Sequence, residues 1–244
     1  MRIRRRVAAS AAVVLAVLAA SAPAGAATKS PTPITSLRAF AFDVEVVATG
    51  SASALGSSLT LSSTGMFVAP ANQDCTVTAT LGKLTLDQQL VVIGKKTFVD
   101  SGSGLEPGKA GDFDFAEFCP SNKDFWSSFA VKPPKGVTPT KEVRNGIATL
   151  HYDAGSDANA LSGFSALGDL PADVTVSDVN LWFAARGGYL VSAQLQLSST
   201  SNASCASLTD ASPVPLQAPC TVGVTFNLSR ANDKALEVIA PKTK

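Results

Sequence analysis

Between residues 39 and 229 the apolar side chains of this chain recur at every second position, run after run, and only one stretch spaces them three apart as a helix does. Residues 39–46 place Phe40, Phe42, Val44 and Val46 on one side, against small or charged neighbours. Residues 58–68 put Leu59, Leu61 and Phe67 on one side and Thr60, Ser62 and Thr64 on the other, which predicts a hairpin with the first strand. Val77, Ala79 and Leu81 share a face, as do Leu84, Leu86, Leu90 and Val92, and Gly94 turns the chain into residues 97–99. After an irregular stretch, residues 142–152 form a strand pair turning at Asn145-Gly146, the dipeptide most typical of a tight hairpin. Residues 174–185 and 188–198 make the clearest hairpin, and residues 221–229 the last strand, with Val222, Val224, Phe226 and Leu228 inward. With no helical pattern between the early strands, the sheet is expected to be antiparallel rather than built of βαβ units.

Leu161, Phe164 and Leu167 define the one amphipathic helix, beginning near Ser156 or Asp157 as N-cap and ending at Gly168. Phe125 to Phe129, with Trp126 among them, reads as one or two further helical turns. That is thin cover for so many one-sided strands. Such a sheet closes on itself, packs on a second sheet, or curls around its few helices, and a curled sheet leaves an apolar cavity. The alternation assigns Phe40, Phe42, Leu59, Leu61, Val191, Leu195, Val224 and Phe226 to its dry face, with Leu161, Phe164 and Leu167 facing them from the helix. A filled sandwich is the competing arrangement.

Charge narrows the function. The 20 Lys and Arg nearly balance 19 Asp and Glu. Because Arg2, Arg4, Arg5 and Arg6 crowd the start, the body is mildly acidic and lacks the basic cluster that nucleic-acid binding requires. The basic start, the apolar run of residues 7–20 and the small residues Ala24-Gly25-Ala26 predict a secretory signal over residues 1–26, with a retained membrane anchor as the rival. No cysteine precedes Cys75, so the cleavage site offers none for lipidation. Residues 27–36 read as a flexible linker, 37–241 as one domain and 242–244 as a tail, which places the protein outside the cell or in the envelope.

In an oxidising compartment Cys75, Cys119, Cys205 and Cys220 are disulfide candidates with three possible pairings, and chain proximity favours Cys75–Cys119 and Cys205–Cys220. The second bridge would tie down residues 199–219, which otherwise read as a long polar loop. No metal site is expected, since there is no C-x-x-C spacing and His151 is the single histidine. His151 with Asp153 two residues on is the one candidate base and orienting partner, but a His beside an Asp on an exposed strand face is commonplace, and no catalytic residue is assigned. Asp112, Asp114 and Glu117 lack a calcium-loop pattern and read as a solvated loop. Asn202-Ala203-Ser204 and Asn227-Leu228-Ser229 match the glycosylation acceptor, a tripeptide that arises easily by chance. Trp182 reads as a core anchor, Trp126 as the better candidate for contacting a ligand.

Taken in order, several stretches resemble the LppX/LprAFG lipoprotein family, whose fold is similar to the LolA and LolB carriers. They are residues 88–99 with their glycine turn, Phe125-Trp126, residues 143–152, Asp178 to Phe183 followed by Gly187 to Val191, and residues 224–229 running on to Pro241. The resemblance implies a mainly β (α+β) fold, a large curled antiparallel half-barrel with a few helices on its concave side. It also implies a non-enzymatic role, binding or carrying a lipid or other acyl-chain ligand without a cofactor, with a membrane or envelope component as a transient partner. The missing lipidation cysteine and the 199–219 insert depart from the family pattern. A structural or adhesive envelope module with a filled core is the alternative.

Overall fold

A computed structural model describes residues 34–53, 56–100, 102, 104–108, 119, 131–161, 170–208 and 216–241. The expected signal segment, most of the linker, the Phe125 to Phe129 segment, Asp112, Asp114 and Glu117, and Phe164 and Leu167 lie outside these residues. The described chain is mainly β. Its strands are β1 (Ala39–Ser53), β2 (Gly56–Val68), β3 (Asn72–Leu81), β4 (Leu84–Ile93), β5 (Lys96–Asp100), β6 (Glu106–Gly108), β7 (Thr140–Arg144), β8 (Ile147–Gly155), β9 (Thr175–Ala184), β10 (Leu190–Ser199) and β11 (Gln217–Ser229). All join one antiparallel sheet in the order β6-β5-β4-β3-β2-β1-β11-β10-β9-β8-β7. The first meander, β1 to β6, thus runs from the centre out to one edge, and the second, β7 to β11, runs from the other edge back to the centre, where the last strand pairs with the first.

Local chemistry explains the turns. Asn145 and Gly146 both adopt positive φ, 53° and 77°, as a two-residue hairpin turn requires. The Asn145 side chain then reaches past the neighbouring hairpin, donating from Nδ2 to the Leu228 carbonyl of β11 at 3.1 Å. β1 and β11 run longer than their alternation indicated, and β6 was not expected at all, because three residues including Pro107 carry no periodic signal. Among the described residues the sheet is open, with β6 and β7 as its outermost strands, and it is not strongly curled. Alternation fixes which side of a strand is dry; curvature depends on twist and bulges, which it does not record.

The segment expected as a structureless loop between β10 and β11 contains a helix, α1 (Asn202–Leu208). Its seven residues are too few to display a 3.6-residue period, so no periodic signal announces it. Ser201 begins the turn, its carbonyl accepting the Cys205 N–H at 2.9 Å, and the Asn202 side chain accepts the Ala218 N–H at 2.8 Å. Cys205 on α1 bonds Cys220 on β11, and Cys75 on β3 bonds Cys119, which is the pairing that chain proximity favours. Of the predicted helix, the described part is a 3-10 turn over Ala158–Leu161. Asp157 caps it, its Oδ1 accepting the Asn159 N–H at 2.9 Å.

Asp173 clamps the α1 junction. Its two carboxylate oxygens accept the Ser204 hydroxyl at 2.7 Å and the Ser199 hydroxyl at 2.9 Å. These bonds, Ser204 first, hold the carboxyl below the usual value of 3.8. A depressed carboxylate stabilises the fold above its unfolded pKa and ceases to do so as acid protonates it through the folded one. Asp173→Asn is therefore expected to speed hydrogen exchange of the α1 amides at neutral pH. The difference from the native chain should shrink as the pH falls through the usual carboxylate value of 3.8 and on below it, where the folded carboxyl takes up its proton. Equal exchange in both proteins at neutral pH would contradict the clamp.

The apolar face and its open corner as candidate functional site

Register shows which side chains share a face. Val46 lies opposite Leu61 and Val224, Val224 opposite Leu195, and Leu61 opposite Ala79, which in turn faces Leu86. Phe226 lies opposite Val44 and Ala193, and Phe40 opposite Phe67, with their rings 5.4 Å apart. Phe40, Phe42, Leu59, Leu61, Leu195, Val224, Phe226 and Leu161 all belong to one apolar cluster on this face. The structure thus gathers eight of the eleven side chains assigned to a ligand, and two more, Phe164 and Leu167, lie outside the described residues.

Val191 does not join them. It packs with Trp182 and Ala184 in a separate cluster on the opposite side of the sheet. The cause is a bulge: Leu190 pairs with Phe183 and Ser192 with Trp182, leaving Val191 as an extra residue that breaks the two-residue period. Simple alternation from Ala193 backwards cannot register that insertion.

Burial along the apolar face is uneven. Phe40, Phe226 and Leu228 are fully enclosed, and α1 covers the starts of β11 and the end of β10. At the corner formed by the β3–β4 turn and the start of β2 the face opens. Leu59, Ala79 and Leu81 are half-buried, Leu86 is 42% exposed and Leu84 59% exposed, although all five are apolar and on the same side as the core. No charged residue occupies a position on this face of β1 to β4, β10 or β11; among the described side chains its polar ones on β2 to β4 are Ser63, Gln73 and Gln88. Such a surface suits uncharged apolar matter, since an ionised group there would find no counter-charge.

The other face is polar. Asp43, Asn227 and Ser192 lie across consecutive strands, Ser192 donating to Asn227 Oδ1 at 2.9 Å, and farther out Gln89 donates to Asp74 at 2.8 Å. The C-terminal stretch is fastened to the start of β1, with the Asn232 N–H on the Ala39 carbonyl at 2.7 Å, and sets Val238 against Val91 and Phe98 on this side.

His151 also stands on the polar face, but not as a base oriented by Asp153. Its ring stacks on Trp182 at 4.4 Å, and its Nε2 bonds Asn180 Oδ1 at 2.8 Å. Glu142, which accepts the Trp182 indole N–H, lies 4.0 Å from Nδ1. The Asp153 carboxylate instead accepts the Gly155 N–H at 3.0 Å, next to a bulge between those residues. Arg144 lies over the same indole at 4.4 Å, so Trp182 anchors a cluster that ties β7, β8 and β9 together. Among the described residues no three His, Cys, Asp or Glu side chains gather as a metal site would require.

No protein-family model matches the chain, and no curated protein matches it. Solved structures do. LprF from Mycobacterium bovis matches over 85% of this chain and 91% of its own, at 15% identity and a TM-score of 0.36. A LolA superfamily protein from Nitrosomonas europaea matches over 90% and 93%, at 10% identity and a TM-score of 0.24. A DUF1329 family protein from Desulfovibrio piger matches over 84% and 89%, at 7% identity and a TM-score of 0.27. The first two fall in the family and superfamily that the order of strands in the sequence resembles, and at these scores none of the three assigns a ligand to this chain.

Proposed function

We propose that this protein is a secreted, non-enzymatic binder or carrier of a lipid or other hydrophobic molecule, held along the apolar face of the sheet. The observation that carries this reading is the open corner: the core face continues past its cover and presents Leu84 and Leu86 to solvent, 59% and 42% exposed. Exposed leucines contiguous with a core are the mark of a surface that something apolar covers. Around them Leu59, Leu61, Ala79 and Leu81 form the seat, which continues across the face to Val224, Leu195, Phe226, Phe40, Phe42 and Leu161. The ligand's source or destination is a membrane or envelope component.

Val224→Trp tests it. Val224 is half-buried on β11, in the row that runs through Val46, Leu61 and Ala79 to Leu86 at the open corner, so added volume there blocks the apolar face without sitting in its most enclosed part. The variant is expected to lose uptake of a fluorescent uncharged lipid probe while its melting temperature shifts by only a few degrees, as for a change of about 1 kcal/mol. The complete enclosure of Phe40, Phe226 and Leu228 favours the rival, a structural or adhesive module with a filled core. There the same substitution overpacks, by about 1–3 kcal/mol, in a protein that takes up no probe. Organic extraction of protein from its native host, followed by mass spectrometry, identifies the ligand directly.

A further inference from the structure

One buried side chain is out of place in this apolar face. Gln73 is 0% exposed, and neither its Nε2 nor its Oε1 has a hydrogen-bond partner. It is not at a rim. In the sheet it lies between Phe67 on β2 and Val92 on β4, with Phe40 beyond Phe67, on the core side of β3. Buried amides are nearly always satisfied, and one left with both a donor and an acceptor unmade in apolar surroundings raises the free energy of the fold that holds it. The unmet amide also lowers the cost of parting the side chains above it for any group that completes its bonds.

We propose that Gln73 is the polar anchor of the bound ligand, which enters headgroup first through the Leu84 and Leu86 corner. This rests on the hydrophobic-ligand reading above and specifies its chemistry. The anchor and the corner lie at opposite ends of β3, about 26 Å apart along the strand from Gln73 to Leu81 at the usual rise per residue. A long-chain molecule lying along β3 therefore reaches the amide with one end and leaves its other end among the exposed leucines. The primary amide of Gln73 donates through Nε2 and accepts at Oε1, so it is completed by an uncharged group that does both, an amide or an alcohol. A carboxylate can only accept. It would leave Oε1 unmet and bring a charge to a face whose strand positions carry no counter-charge.

The test uses the full chain and three probes of equal length bearing pyrene at the far end of the alkyl chain: a primary amide, the matching carboxylic acid and the matching alkane. The native protein is expected to bind the amide more tightly than the acid. Gln73→Met, which keeps the volume but not the bonds, is expected to weaken amide binding about tenfold while leaving the alkane unaffected. Iodide should still quench the pyrene of the bound amide, because that end sits at the open corner. Uptake of the alkane with no preference for the amide, amide binding indifferent to both Gln73→Met and Gln73→Leu, or a pyrene shielded from iodide would each overturn the anchor and leave the carrier reading intact. Uptake of none of the three probes would remove both. The quenching measurement needs no variant, so it decides the orientation even where the substitutions fail to fold.

Discussion

Replacing Gly65 with alanine is expected to destabilise the protein by about 3 kcal/mol or more, enough to lower its melting temperature by roughly 10 °C. Gly65 sits in β2 directly between Phe42 of β1 and Cys75 of β3. A Cβ there would stand 2.3 Å from the Asp74 carbonyl oxygen, 2.8 Å from Phe42 Cζ and 3.0 Å from Cys75 Cα. Two of these three obstacles are backbone, so no rotamer change relieves them and β3 itself must move. Phe42 occupies the space that the missing side chain leaves, which is why an aromatic residue and a glycine face each other across the strands. Gly223 is the control. Its added Cβ would meet nothing nearer than the Val47 carbonyl oxygen at 3.9 Å. Gly223→Ala should therefore be neutral or stabilising by up to about 1 kcal/mol, through the lost freedom of the unfolded chain. Urea unfolding of both variants reads the contrast; equal midpoints would show that β3 yields freely at Asp74.

Removing the Cys75–Cys119 bridge by paired serine substitution is expected to cost about 4 kcal/mol, the chain-entropy figure for closing a loop of 44 residues. The Cys205–Cys220 bridge, spanning 15 residues, should be worth about 3 kcal/mol. Both are upper figures of the loop-closure relation, but serine at Cys75 also buries a hydroxyl at a position with no solvent contact. Unfolding with and without a thiol reductant separates bridge from side chain. The oxidised protein should be four hydrogens lighter than the reduced chain. Peptide mapping that links Cys75 to Cys205 would contradict the arrangement of α1 on β11.

The division between what the sequence tells and what it withholds is visible residue by residue. Phe40, Leu61, Leu195 and Phe226 come from four strands, yet each is placed on its face by counting in twos, because a pleated strand has no other option. Val191 fails the same count, since a bulge inserts a residue without any compositional mark. Gln73 was within reach: counting back from Val77 and Cys75 lands on it, and a glutamine in that column is the anomaly the structure makes plain. The open corner was half legible. Leu84 and Leu86 alternate as core residues should, and only the tertiary arrangement shows that nothing of the core covers them. The pairing of β1 with β11 is a contact between the two ends of the domain, and no local pattern encodes it.

The two rims of the sheet decide how this molecule can meet others. At one rim the three residues of β6 include Pro107, which has no N–H to offer an incoming strand. At the other, β7 carries Lys141, Glu142 and Arg144 within five residues, in a chain with only 16% charged residues. Charged side chains and proline are the usual guards against strand addition. A twelfth strand, from another copy or from a foreign peptide, is thereby discouraged at both ends. Association is left to the broad surfaces and the leucine corner, so contacts made by this protein should be side-chain encounters that form and release, rather than backbone ladders that lock copies into a growing ribbon.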